Sequence, residues 1–87
     1  MKRTAFLITN ITEFGKLMAY CIENDISVWR TYWDERESSK RAYCIDWKTK
    51  RCEYTDTEYW KSRDIDVEIP NFYIDQYGRY QIGRSIT

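Results

Sequence analysis

The chain has 87 residues, 14 Lys and Arg balanced by 14 Asp and Glu, and no histidine. That length allows one domain, residues 1–87, because independently folding units typically run ~100–150 residues. Three glycines, one proline and 43% hydrophobic residues exclude a disordered or collagenous chain. No apolar run approaches the ~18 residues that a membrane-spanning helix needs. Met1, Lys2 and Arg3 ahead of Ala5, Phe6, Leu7 and Ile8 look like the start of a signal peptide, but that stretch is too short and Asn10 and Thr12 interrupt it. A cytoplasmic protein with no membrane partner is the expectation.

The absence of histidine removes the commonest general acid/base and the commonest metal ligand. Cys21, Cys44 and Cys52 are odd in number and lack the close spacing of a zinc site. They read as reduced, mostly buried thiols. Charge is locally uneven: residues 30–51 carry seven basic and four acidic groups for +3, and residues 52–69 carry two basic and six acidic groups for −4. A dedicated DNA binder shows a clearly basic domain, and this chain does not, so nucleic acid is disfavoured as a partner.

In chain order, Ala5, Phe6, Leu7 and Ile8 predict a short buried strand. Thr12 reads as a helix N-cap with Glu13 at the positive helix end. Phe14, Leu17, Met18, Cys21 and Ile22 then mark one apolar helical face, which Asn24 and Asp25 terminate. Residues 28–33 are strand formers, aromatic on both faces, and residues 34–40 form a charged loop. Residues 41–47 and 51–55 predict a hairpin centred on Thr49 and Lys50, with Trp47 opposite Cys52 and Ile45 opposite Tyr54. That parity puts Cys44 and Cys52 on opposite faces. Asp56 or Thr57 caps a short helix through Tyr59 and Trp60. Ile65, Val67 and Ile69 alternate with Asp66 and Glu68 as a half-buried strand that Pro70 ends. Residues 72–74 and 79–82 close a last hairpin around Gly78, and residues 84–87 form a frayed tail. The fold class is α+β: a small mixed or antiparallel sheet with one main helix on a face, in the order β-α-β-β-β-α-β, of which a ferredoxin-like core is one version.

Two groups of residues could carry chemistry or contacts. Asp46-Trp47-Lys48 with Asp34 upstream has the acidic-x-Lys arrangement with which one nuclease superfamily holds Mg²⁺ and orients water. Charge alternation on a solvated strand accounts for the same residues, so no catalytic or metal site and no cofactor are assigned. The stronger group is Trp29, Arg30, Tyr32, Trp33 and Arg36, since aromatics beside Arg dominate protein interfaces. Asp64, Asp66 and Glu68 on the acidic strand are the next contact candidates.

The capped first helix running from Thr12-Glu13-Phe14 to Asn24-Asp25-Ile26, the Cys44-Ile45-Asp46-Trp47-Lys48 hairpin and the Tyr54…Tyr59-Trp60 stretch before an acidic strand resemble small accessory proteins of bacteriophages and mobile elements. That resemblance implies an anti-defence, anti-CRISPR-like inhibitor in the host cell cytoplasm, which binds a host protein or complex and performs no catalysis. The alternative is a binder of single-stranded nucleic acid or a nucleotide through Tyr and Trp stacking.

Overall fold

The computed structural model describes residues 3–28, 31–33, 35, 36 and 41–83. Strand β1 (Thr4–Phe6) is followed by helix α1 (Ile11–Glu23), the two-residue strand β2 (Ser27–Val28), the hairpin β3 (Arg41–Asp46) and β4 (Arg51–Asp56), helix α2 (Thr57–Ser62), strand β5 (Asp66–Glu68) and a second hairpin, β6 (Asn71–Ile74) and β7 (Tyr80–Gly83). The fold is α+β. Five strands form one sheet in the order β2-β4-β3-β1-β5, and β6 and β7 form a separate two-stranded sheet. β1 runs antiparallel to β3 but parallel to β5, and β2 runs parallel to β4. The five-stranded sheet is therefore mixed, which departs from the all-antiparallel ladder of a ferredoxin-like core.

Strand parity divides the interior in two. Phe6, Tyr43, Ile45 and Cys52 face α1, whose Leu17, Tyr20 and Cys21 meet them in the larger core. Phe72, Tyr80 and Ile82 of the second hairpin pack against the same core. The opposite face presents Ala5, Ala42 and Cys44 to Trp60 of α2 and to Ile65. Trp60 lies almost wholly inside, and its indole Nε1 donates to the Ala42 carbonyl at 3.0 Å. Both faces of the sheet are thus covered by helices.

Both helices end in the same way. Ile26 N donates to Cys21 O at 2.8 Å and Asp25, at φ 54°, turns the chain left-handed. Ile65 N donates to Trp60 O at 3.0 Å and Asp64, at φ 57°, does the same after α2. This is the 6→1 closure in which a left-handed residue follows the C-cap and an apolar residue folds back onto the helix. Ile26 and Ile65 are accordingly buried.

Four sequence expectations change. The N-cap of α1 is Asn10, not Thr12: Asn10 Oδ1 accepts from Glu13 N at 2.8 Å, and Thr12 falls inside the first turn. An extended Asn10 at φ −154° satisfies one of the helix's free amides two residues earlier than the periodicity suggests. Ile22 is not part of the apolar face and stands 74% exposed. At about 100° per residue, Ile22 lies about 80° past Phe14 on one side, while Leu17 and Tyr20 lie about 60° and 120° past it on the other. Tyr20 wins that competition because its hydroxyl also accepts from Trp47 Nε1 at 2.9 Å.

The hairpin pairs Ile45 with Cys52 and Tyr43 with Tyr54, two residues off the expected register, and so keeps every side chain on its expected face. The shift arises because Asp46 Oδ1 accepts from Lys48 N and Thr49 N, which pulls Trp47 out of the strand and into the turn. Strand β2 stops at Val28, and residues 31–33 form no ladder. Trp29 and Arg30, the middle of the expected strand, and residues 84–87 lie outside the described residues.

A Cβ built on Gly15 meets nothing within 4 Å, so no neighbour requires a glycine inside α1. Gly15→Ala is expected to stabilise the fold by up to about 1 kcal/mol. Asn10→Ala should destabilise it by about 1 kcal/mol, with Thr12→Ala nearly neutral. Urea unfolding midpoints of the three variants check both statements, and a costly Thr12→Ala beside a neutral Asn10→Ala would overturn the cap assignment.

Candidate binding surfaces

The residues expected to make contacts do not form one site. Tyr32 is 52% exposed, with its ring edge-on to Tyr54 at 5.3 Å, and Arg41 Nη1 donates to its hydroxyl at 3.4 Å. The Tyr32 carbonyl accepts from Tyr43 Oη at 2.7 Å, so this short segment is fastened over β3 and β4. The Arg41 guanidinium lies 5.4 Å from the Tyr54 ring centre and 3.3 Å from Asp56 Oδ1. Hydrogen bonding to Tyr54, and then to Tyr32, pushes its pKa further up. Trp33 is half-buried, 6.0 Å from the Phe14 ring, and packs against the larger core. Arg36 is exposed in the following turn, and Trp29, Arg30 and Asp34 lie outside the described residues.

The acidic candidates stand at the other edge of the sheet. β5 is separated from β4 by β1 and β3, three strand spacings of about 4.8 Å. Asp66 is exposed and Glu68 half-buried on that edge strand. Asp64 is the left-handed residue of the α2 closure, which gives it a backbone role independent of any partner. Asp64 and Asp66 line an open groove of about 380 Å³ with Arg3, Asp46, Lys48, Arg63 and Ile65. Its charges are mixed, with cations and carboxylates interleaved. Asp46 spends its carboxylate on the turn: backbone bonds, first from Thr49 and then from Lys48, hold its pKa below the usual carboxylate range. Among the described residues, no three His, Cys, Asp or Glu side chains are grouped to hold a metal ion.

A third surface escaped the sequence reading. The β6–β7 hairpin pairs Phe72 with Ile82 and Tyr73 with Gln81. Phe72 and Ile82 point into the core, so the opposite parity leaves Tyr73 outside. The turn is built around Asp75, whose Oδ1 accepts from Tyr77 N at 2.9 Å and Arg79 N at 3.0 Å while Oδ2 accepts from Gln81 Nε2 at 3.0 Å. Gly78 supplies the φ of 76° that the turn requires. The tip so ordered holds Tyr77 71% exposed, with the Arg79 guanidinium 5.2 Å from its ring centre. Ile69 and Ile74 are also exposed, Ile74 with the strand parity of Phe72. Strict alternation across residues 72–82, with Phe72 and Ile82 assigned inward, was the signal for this surface.

The described residues contain no helix long and apolar enough to cross a membrane. Comparison with protein-family models, with curated proteins and with solved structures finds no match.

The backbone bond from Arg79, followed by the side-chain bond from Gln81 and the backbone bond from Tyr77, holds the Asp75 pKa below its ordinary value of ~3.9. A carboxylate with a depressed folded-state pKa stabilises above its unfolded value, and loses that contribution as pH falls through the folded one. Asp75→Ala should therefore be less stable than the parent at pH 7, with the gap narrowing below about pH 4. Urea titrations at pH 7 and in the acid range check this; a gap that widens in acid would overturn it.

Proposed function

We propose that this chain is a non-enzymatic binding protein of the small phage-encoded kind, which inhibits a host protein, such as a CRISPR-Cas-type defence complex, by occupying its surface. The observation that carries the reading is the second hairpin. It exposes Tyr73, Ile74 and, beside Arg79, Tyr77, on a turn ordered by three hydrogen bonds and one ion pair to the Asp75 carboxylate. Exposed aromatics with Arg are the commonest anchors of protein interfaces, and a preordered tip reduces the entropy lost on docking. Zero net charge favours a protein partner over a polyanion.

Affinity capture with the tagged chain from bacterial lysate, with and without nuclease, tests this reading. The expected result is a stoichiometric protein that survives nuclease treatment. Against that purified protein, Tyr73→Ala and Tyr77→Ala together should weaken binding by at least ~2 kcal/mol, about 30-fold in Kd. Asp64→Gly removes a carboxylate while suiting the left-handed turn, so it isolates the acidic group's contribution from folding. Full binding by the double tyrosine variant would remove the hairpin from the mechanism. Recovery of nucleic acid alone would transfer the reading to base stacking at Tyr32 and Arg41.

A further inference from the structure

The second hairpin has an open edge, and its ladder decides which backbone groups stand there. Asp75 N donates to Arg79 O at 3.0 Å, which continues the register that sets Tyr73 opposite Gln81 and Asn71 opposite Gly83. Hydrogen-bonded and non-hydrogen-bonded pairs alternate along an antiparallel ladder. Asn71, Tyr73 and Asp75 therefore direct their backbone groups to β7, while Phe72 and Ile74 turn theirs outward. β6 has no second neighbour in its sheet, whereas α1 lies beside β7. Among the described residues, no backbone bond from outside the hairpin reaches Phe72 or Ile74. The edges of the larger sheet are guarded, since β5 carries Asp66 and Glu68 and β2 has only two residues. Asn71–Ile74 carries no charge at all.

We infer that β6 pairs antiparallel with β6 of a second copy of this chain about a twofold axis, joining the two hairpins into one continuous sheet. The strand itself selects this partner and the register. A twofold contact sets identical residues near one another, so a charged strand would repel itself; β6 has no charge, and the chain as a whole has no net charge to oppose association. With Phe72 opposite Ile74 of the second copy, the outward N–H and C=O of both residues are used in both strands. Centring the pairing on Phe72 would set Ile74 against Pro70, which has no N–H, and centring it on Ile74 would set Phe72 against Gln76 in the turn. The favoured register leaves Tyr73 facing Tyr73 of the second copy as a non-hydrogen-bonded pair, with Cα atoms about 4.5 Å apart. It also gives Ile74 a place. This side chain has the parity of Phe72 yet is 59% exposed, and across the axis it meets Phe72 of the second copy. The joined sheet carries the Tyr73 and Tyr77 surface twice, and it forms without any host protein.

The full-length chain alone is enough for the test. Sedimentation between ~50 µM and ~1 mM should show the mass rising from one copy toward two, as a small interface requires. Over the same range, hydrogen exchange followed by NMR should slow about tenfold at the Phe72 and Ile74 amides, with Tyr80 and Ile82 on the other edge unchanged. Tyr73→Lys and Tyr73→Glu alter an exposed position and set like charges against each other across the axis, so each variant should stay monomeric. An equimolar mixture of the two should recover the dimer, because opposite charges then face one another. Should either variant fail to fold, exchange at Phe72 and Ile74 in the parent chain decides alone. A chain still monomeric at ~1 mM, a dimer that leaves exchange at Phe72 and Ile74 unchanged, or folded variants that dimerise singly or fail to do so when mixed would each overturn the inference.

Discussion

The contact on which the architecture depends is Trp60 against Ala5, Ala42 and Cys44. α2 has only six residues, too few to hold a helix by propensity alone. It can cover a sheet face only if one large side chain fills the space and the strands opposite carry small ones. The sequence meets both conditions, with an indole above two alanines and a cysteine. The N–H to Ala42 carbonyl bond satisfies the only polar atom that burial of this side chain would strand. With that face closed, β1 is buried on both sides and three residues suffice for a central strand.

The other face obeys a different rule. Tyr43, Ile45 and Phe6 are large, and a long amphipathic helix is needed to cover them. The covering is shared, because α1 alone does not span the face: Phe72, Tyr80 and Ile82 of the second hairpin complete it. An isolated two-stranded hairpin is marginal in water, so this docking keeps β6 and β7 ordered. One face of the hairpin belongs to the core, and the other is left to solvent.

These two rules explain how much was legible. Parity is local chemistry, and it survived intact: Cys44 and Cys52 fall on opposite faces although their register moved by two residues. Register is set by turn geometry, and there a side chain overruled propensity. Trp47 reads as a strand residue, yet the Asp46 carboxylate bonds two backbone amides and draws Trp47 into the turn. The helix start was misplaced by two residues for a similar reason, since Asn10 and Thr12 are both competent caps and only the path of the incoming strand chooses between them. The face of α1 shifted because Tyr20 gained a partner, Trp47, from 27 residues along the chain.

The candidate surface was less legible than the fold because aromatic composition alone does not separate core from interface. Tyr43 and Tyr73 are both strand tyrosines with apolar neighbours, yet one is 2% and the other 51% exposed. The difference lies in the layer beyond each strand. Tyr43 lies beneath α1 and a fastened segment, while Tyr73 belongs to an outer layer with nothing further along the chain to cover it among the described residues. Large apolar side chains that a small fold holds in place without burying are the residues from which interfaces are built. Tyr73, Ile74 and Tyr77 are three of them, on the hairpin whose other face completes the core, so the packing that stabilises the domain also fixes the orientation of the surface they present.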